Sequence, residues 1–225
     1  MFRIFIGFDP RETVAYHVAA HSILRRASIP VAITPLRRES IPILTRQRGE
    51  HDSTEFAISR FLVPYLCKYD GYALFMDCDV AVMADISELE IYAMAQTILG
   101  DNAVSVVQHD YTPRDSTKFL NQKQTKYARK NWSSVMLFNC NQCKDLRPEY
   151  VNEAPGLDLH QFAWTDKVGK LPPEWNVLVG EENQPDWRKA KLLHYSRGTP
   201  CFPEYNNGPE AGIWQAEYDD LRRAG

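Results

Sequence analysis

The chain has 225 residues, 44% of them hydrophobic and 12% aromatic, and a formal net charge of −3 at pH 7. This composition excludes a disordered chain, and the length allows a substantial core, so we predict one domain over residues 1–225. The charge gives no general attraction to nucleic acid or to an anionic membrane, although local basic patches are compatible with such a partner.

The cysteines and the apolar runs indicate where such a protein resides. The five cysteines form no secreted-type framework, and an odd count favours a reducing compartment. Cys140 and Cys143 have the spacing of half a zinc site, but no second pair completes it, so we interpret them as buried or incidental thiols. No apolar run is long enough to span a bilayer, and residues 1–7 are too short for the core of a signal peptide. We therefore expect a cytoplasmic protein without a membrane span.

The chain opens with a strand–helix–strand pattern. Residues 2–8 have the apolar character of a strand, and Asp9-Pro10-Arg11-Glu12 turns into a helix that continues to about residue 26. Residues 30–36 are the next strand candidate. Such an opening predicts an α/β fold with a parallel sheet.

The remaining elements follow in order after a surface loop over residues 37–52. They are a helix over 54–66 that Pro64 could kink, a strand over 74–83, a helix over 87–95, strands over 103–108 and 132–139, a short helix over 157–164, an extended segment over 171–178, a strand over 192–195 and a helix over 215–223.

Residues 109–130 differ from their surroundings because they are polar and basic, with aromatic residues interleaved. The basic side chains are Lys118, Lys123, Lys126, Arg129 and Lys130. This composition is compatible with an ordinary solvated excursion. It is also compatible with a mobile flap that contacts phosphates or an acceptor.

Two carboxylates, Asp77 and Asp79, stand at the end of a short apolar run that begins at Leu74. The tripeptide alone is compatible with an exposed turn that caps the next helix. A strand, however, points residues two apart to the same face, and buried acids need positive charge nearby. Ligands of open α/β sheets collect at the carboxyl ends of strands, and Mg²⁺ and Mn²⁺ prefer carboxylate oxygens. The apolar strand therefore favours a site for a metal and a diphosphate.

Seven stretches, in this order, resemble those of the family 8 glycosyltransferases, the glycogenin-like enzymes of the GT-A fold. They are Ile6-Gly7-Phe8-Asp9, residues 56–62 with Arg60, Phe75-Met76-Asp77-Cys78-Asp79-Val80, Ser134-Val135-Met136-Leu137-Phe138-Asn139, Gln161, Leu171-Pro172-Pro173-Glu174-Trp175-Asn176 and His194-Tyr195-Ser196-Arg197-Gly198-Thr199-Pro200. Each is weak alone, and their shared order along nearly the whole chain makes the resemblance specific.

The resemblance implies a GT-A domain with a central, mostly parallel mixed sheet flanked by helices. It also implies a nucleoside-diphosphate-sugar donor such as a UDP-sugar, a divalent cation, Mn²⁺ or Mg²⁺, and transfer with retention at the anomeric carbon. The implied roles are metal binding for Asp77, Asp79 and His194, with Asp77 also near the ribose; nucleobase contact for Gly7, Phe8, Asp9 and Tyr16; donor contact for Arg60; and the reacting face of the sugar for Gln161.

The sequence departs from the family pattern in ways that leave the donor sugar open. His160 stands where the family usually has Asp, and Trp132-Ser133-Ser134 replaces Asn-Ala-Gly. The phosphate-binding Lys of the C-terminal motif is missing. Arg197 is our candidate replacement, with Lys123 or Lys130 as alternatives, and Gly198 would let the backbone approach the phosphates closely.

Other interpretations use the same residues. Taken singly, His194 is compatible with a packed histidine and Gln161 with a helix-surface glutamine. A haloacid-dehalogenase-type phosphatase also uses Asp-x-Asp after an apolar strand, but the later acidic pair that it needs is poorly placed here. A non-catalytic nucleotide-sugar-binding module would keep the same residues without activity.

The acceptor is open: glycans, lipid-linked glycans, proteins and modified DNA bases are all conceivable.

Overall fold

The computed structural model describes residues 1–49, 52–110, 117–118, 122–123 and 128–224. Its strands are β1 (Phe2–Gly7), β2 (Val31–Leu36), β3 (Tyr72–Met76), β4 (Val80–Val82), β5 (Val104–Val106), β6 (Thr117–Lys118), β7 (Gln122–Lys123), β8 (Val135–Asn139), β9 (Val168–Lys170), β10 (Val177–Leu178) and β11 (Leu192–His194). Its α-helices are α1 (Thr13–Leu24), α2 (Val63–Leu66), α3 (Ser87–Leu99), α4 (Pro148–Glu153), α5 (Gly156–His160) and α6 (Ala211–Ala224).

A six-stranded sheet in the order β2-β1-β3-β8-β5-β9 forms the centre of the fold. Strands β2, β1 and β3 pair in parallel, β8 runs antiparallel to both β3 and β5, and β9 pairs in parallel with β5. Only β8 therefore runs against the others, which confirms the predicted mostly parallel mixed sheet. Strands β3 and β8 are continuous apolar runs because both faces of the sheet are buried at its centre.

A second sheet of three strands, in the order β10-β11-β4, lies beside the first. The chain passes from β3 in one sheet to β4 in the other through Asp77-Cys78-Asp79. The amide of Asp77 donates to the carbonyl of Ser134 at 2.9 Å, and the amide of Tyr195 donates to the carbonyl of Asp79 at 2.8 Å. The prediction of one strand over residues 74–83 is therefore wrong, because the hydrogen-bonding partner changes at the tripeptide.

The predicted helix over residues 54–66 is also wrong as a single helix. The structure has turns, a 3-10 helix at Ser59–Leu62 and then the short α2. Pro64 is the second residue of α2, and its ring would clash with the carbonyl four residues earlier if an α-helix extended through it. Residues 56–64 are all buried, so tertiary packing determines this segment.

Several boundaries differ from those predicted. Residues 132–134 and 173–176 form 3-10 helices rather than extended chain, and α4 and β9 were not predicted. Of the predicted flap, residues 111–116, 119–121 and 124–127 lie outside the described residues. Strands β6 and β7 within it pair with each other in antiparallel fashion.

Helix α6 packs against α1, beside a small apolar cluster that includes Val18, Leu193 and Trp214. Glu217 of α6 is buried and pairs with Arg25 and Arg26. Because a buried carboxylate needs a partner of opposite charge, these pairs specify where α6 docks. None of the helices within the described residues has the length and apolar character that a membrane crossing requires.

Candidate metal centre

Asp77, Asp79 and His194 converge where the two sheets meet. Ligand atoms from the three side chains all lie within 4.8 Å of one another, and Nε2 of His194 is 3.3 Å from Oδ1 of Asp79. The strand pairing explains this arrangement: His194, the last residue of β11, lies opposite Val80, the first residue of β4. Asp79 directly precedes Val80, so antiparallel pairing brings the carboxylate to the imidazole. The predicted trio is thus brought together, although by a sheet-to-sheet connection and not by strand alternation.

The donor atoms of this trio suit a hard divalent cation. Two carboxylates supply oxygen and formal negative charge, and an imidazole supplies one nitrogen. Mn²⁺ and Mg²⁺ accept such ligands and keep further coordination positions for the oxygens of a phosphate-bearing substrate. His194 is 1% exposed, whereas Asp77 and Asp79 are partly exposed, so the carboxylates face the accessible side of the cluster.

Arg60 supplies positive charge beside the carboxylates. Its Nη1 lies 2.8 Å from Oδ1 of Asp77 and donates to the carbonyl of Ser133 at 2.8 Å. The guanidinium lies 4.8 Å from the centre of the Phe75 ring and 5.3 Å from that of Phe56. Arg60 is buried by these contacts, so its charge is held beside the candidate metal ligands.

Glu12 is a buried acid near the cluster, and it was not predicted as a site residue. It is 3% exposed, and the thiol of Cys78 donates to its Oε2 at 3.9 Å. Burial, together with the negative charges of Asp79, Asp9 and Asp77, raises the pKa of Glu12 well above its ordinary value. The available signal was its position three residues after Asp9 in the turn that follows β1.

His109 follows β5 and was also not predicted as a site residue. Its carbonyl accepts a hydrogen bond from Nε1 of Trp132 at 2.9 Å. Burial and the nearby His194 lower the pKa of His109 to about 3, so its imidazole is neutral at pH 7. His109 therefore adds a neutral polar group, and no charge, beside the candidate metal ligands.

The residues expected at the nucleobase lie at the carboxyl end of β1. Asp9 is fully buried and accepts hydrogen bonds from the Arg11 guanidinium and from the amides of Arg11 and Glu55. Burial opposes ionisation of Asp9, but these hydrogen bonds and the Arg11 charge outweigh it and lower its pKa. The Tyr16 ring packs edge-on against Phe8 at 5.4 Å.

Two glycines of the predicted site have packing reasons for lacking a side chain. A Cβ on Gly7 would lie 2.4 Å from the Phe56 ring. Gly198 has a φ of +151°, and a Cβ there would lie 2.2 Å from the ring of Tyr205. Gly198 is therefore required by Tyr205, whatever its relation to a bound phosphate.

Gln161 and Arg197 lie on different elements around the cluster. Gln161 follows α5, and its carbonyl accepts from Nη1 of Arg129 at 2.7 Å. The neighbouring His160 places Nδ1 2.7 Å from the hydroxyl of Ser133, the residue whose carbonyl binds Arg60. The Arg197 side chain is about one-third exposed, and its Nε lies 3.5 Å from Oε1 of Glu181, whose side chain is 2% exposed.

Comparison with known proteins shows the family to which this chain belongs. The chain is 43% identical to Protein CDI of Arabidopsis thaliana over 233 residues, which cover 99% of this chain and 88% of that protein. The chain belongs to the same family as Protein CDI. No family model matches this CDI-family chain.

Solved structures with a similar fold include glycosyltransferases. The WbbM bifunctional glycosyltransferase aligns with a TM-score of 0.64 at 17% identity, over 99% of this chain and 51% of its own. GlyE of Streptococcus pneumoniae TIGR4 aligns at 0.62 and 12% identity, over 99% and 62%. The galactosyltransferase LgtC, solved with donor and acceptor sugar analogues, aligns at 0.58 and 14% identity, over 98% and 96%.

These likenesses show that the CDI-family chain has the glycosyltransferase fold, as the sequence predicted. The chain spans about half of WbbM and about three-fifths of GlyE. The narrower resemblance to family 8 stays a prediction.

Proposed function

We propose that this protein is a metal-dependent glycosyltransferase that transfers a sugar, with retention, from a nucleoside-diphosphate sugar, with UDP-sugars as the first donors to test. The convergence of Asp77, Asp79 and His194 at the junction of the two sheets is the observation that carries this proposal. The fold shared with glycosyltransferases supports it. Fold alone does not establish chemistry, and the ligand cluster supplies the chemical argument.

Transfer from such a donor breaks a bond between the anomeric carbon and a diphosphate oxygen. A bound Mn²⁺ or Mg²⁺ would act as a Lewis acid that neutralises the departing diphosphate. Asp77, Asp79 and His194 would hold the ion. Arg60 offsets the negative charge of Asp77 and holds that carboxylate in place. The protein's part is therefore to fix the positions of these groups before the donor binds.

The remaining site residues have proposed roles. Gly7, Phe8, Asp9 and Tyr16 would border the nucleobase, Arg60 and Asp77 the ribose and phosphates, and Gln161 the reacting face of the sugar. Arg197 would stabilise the leaving diphosphate, with Gly198 beside it. The proposal also includes a single domain over residues 1–225 and, from the odd cysteine count, a cytoplasmic location.

The test is an assay for UDP release. The purified protein should hydrolyse at least one UDP-sugar in the presence of Mn²⁺, and chelation should stop the reaction. Asp79→Asn should be inactive, whereas Asp101→Asn, a matched change at an exposed aspartate paired with Lys167, should keep wild-type activity. Activity on simple phosphomonoesters instead would indicate a phosphatase. Donor binding without turnover in any donor and acceptor combination would indicate a binding module.

A further inference from the structure

A chain of hydrogen bonds runs from the backbone to the imidazole of His194. The hydroxyl of Ser134 donates to the carbonyl of Asn131 at 2.7 Å, and Nδ2 of Asn176 donates to the Ser134 hydroxyl at 2.9 Å. Oδ1 of Asn176 lies 3.0 Å from Nδ1 of His194. We propose that Asn176 is a positioning residue that fixes the tautomer of His194, so that Nε2 carries the lone pair on the side of Asp79. The use of this tautomer for metal binding rests on the proposed function, whereas the assignment of the tautomer rests on the hydrogen bonds alone.

The direction of every hydrogen bond in this relay follows from its first acceptor. A carbonyl oxygen only accepts, so Ser134 gives its single hydroxyl proton to Asn131. The Ser134 oxygen must then accept from Asn176, which turns the NH₂ group of that amide toward Ser134 and its oxygen toward His194. An amide oxygen only accepts, so Nδ1 of His194 carries the proton. A neutral imidazole with a proton on Nδ1 has its lone pair on Nε2.

Burial makes this arrangement specific. Asn176 is 0% exposed, Ser134 2% and His194 1%, so solvent offers no alternative partners. Turning the Asn176 amide around would set its oxygen against the Ser134 hydroxyl, whose single proton already goes to Asn131. The hydrogen bond between Asn176 and Ser134 would then be lost in a buried environment, which is costly. The backbone supports the same geometry, because β10 begins directly after Asn176 and pairs in parallel with β11, where His194 ends the strand.

The hydrogen-bond relay leaves a lone pair on the ring nitrogen of His194 that faces the carboxylates. Nε2 of His194, and not Nδ1, lies 3.3 Å from Oδ1 of Asp79. A neutral imidazole with its proton on Nε2 would present a hydrogen to the cation and could not ligate it. Groups that orient a metal-binding histidine typically affect metal affinity by about 10–100-fold when they are changed. Asn176 acts through His194, and we assign it no contact with substrate.

The experiment reads the tautomer directly in the metal-free protein. The protein is produced with ¹⁵N-labelled histidine. Two-dimensional ¹H–¹⁵N spectra, which correlate the carbon-bound ring protons with the ring nitrogens, are recorded at a pH where the imidazole is neutral. The His194→Gln variant assigns the signals of His194. Wild type should show a protonated Nδ1 and an unprotonated Nε2. Asn176→Asp should keep this pattern, because a carboxylate also accepts from Nδ1. Asn176→Leu should lose it, and Ser133→Ala, at the adjacent serine that contacts His160 instead, should retain it.

Calorimetric titration with Mn²⁺ alone completes the test. Asn176→Leu should bind Mn²⁺ about 10–100-fold more weakly than wild type, and Asn176→Asp should recover the affinity. If Asn176→Leu does not fold, Ser134→Ala replaces it and should give a mixture of tautomers. A wild-type His194 protonated on Nε2, or a single Nδ1–H tautomer that persists in Asn176→Leu, overturns the inference. Because no nucleotide sugar is present, a protein with the expected tautomer but no transferase activity would contradict the proposed function alone.

Discussion

Arg60 and Asp77 form an ion pair of 2.8 Å at the residue where the chain leaves the central sheet. Arg60 is 5% exposed, and its guanidinium also binds the carbonyl of Ser133 and lies over the Phe75 ring. The ion pair joins the segment before α2, the end of β3 and the turn before β8. One side chain thus couples the position of a proposed metal ligand to three parts of the core.

Removing Arg60 should destabilise the metal-free protein. Arg60→Met leaves the Asp77 carboxylate without its guanidinium, and breaking such a pair on one side costs about 3 kcal/mol. The double variant Arg60→Met with Asp77→Asn should recover part of that loss, because the uncompensated charge is gone. Urea denaturation of the four proteins in chelator gives the coupling free energy. Strictly additive effects of the two changes would contradict an energetic role for the pair.

Metal binding should stabilise the fold through the three ligands. At a Mn²⁺ concentration of about 100 times the dissociation constant, the free energy of unfolding should rise by about 2.7 kcal/mol. Asp77→Ala and Asp79→Ala should remain folded without showing this increase. His194→Ala should show it only at much higher Mn²⁺. Thermal denaturation at a series of Mn²⁺ concentrations measures this stabilisation. If Mn²⁺ stabilises Asp79→Ala as much as wild type, the proposed metal site is contradicted.

Arg197 should matter more for turnover than for donor binding. The charge of the leaving diphosphate grows in the transition state, so Arg197→Ala should raise the barrier by about 2–3 kcal/mol while changing donor affinity less. Arg188→Ala is the control, since Arg188 is an exposed arginine paired with Asp186 on the surface. Steady-state kinetics with the best donor separate kcat from KM. If Arg197→Ala keeps wild-type turnover, Arg197 does not stabilise the leaving diphosphate, and a lysine within residues 118–130 becomes the candidate for that role.

His109 should make the protein less stable in acid. Its pKa is about 3 in the folded protein against an ordinary value of 6.5. Between these values the unfolded chain binds a proton that the folded chain does not, so stability falls as pH decreases, by at most about 1.4 kcal/mol per pH unit. His109→Gln should show a shallower loss over this range, and the exposed His17 provides the control variant. Urea denaturation at several pH values gives the free energy of unfolding as a function of pH. Parallel pH dependences for wild type and His109→Gln would contradict the lowered pKa of His109.

Gly198→Ala should destabilise the protein by about 2–4 kcal/mol, because the new methyl group meets the Tyr205 ring and the backbone conformation suits glycine. Gly212, near the start of α6, has nothing within 4 Å of an added Cβ. Gly212→Ala should therefore raise the free energy of unfolding by about 0.5–1 kcal/mol. Combining Gly198→Ala with Tyr205→Ala should relieve the steric part only. Equal stabilities for the two glycine variants would contradict this account.

Much of the architecture follows from local patterns. The apolar runs of β1, β3 and β8 and the helical periodicity of α1 predict the elements that build the central sheet, because these segments are buried over most of their length. The segment around Arg60 was predicted less well. There every residue from 56 to 64 is buried, so no polar face remains to mark a helical period.

The sequence by itself predicted Asp77, Asp79 and His194 as metal ligands, because two acids after an apolar run and the order of seven short stretches point to one kind of site. Only the tertiary structure placed Asn176, Glu12 and His109 beside them. A single buried polar residue forms no periodic pattern along the chain that would reveal its contacts. Their partners are distant in sequence: Asn176 contacts His194 across 18 residues, and Cys78 contacts Glu12 across 66. Pairing of β10, β11 and β4, and not any local motif, brings Asn176, His194 and Asp79 to one place.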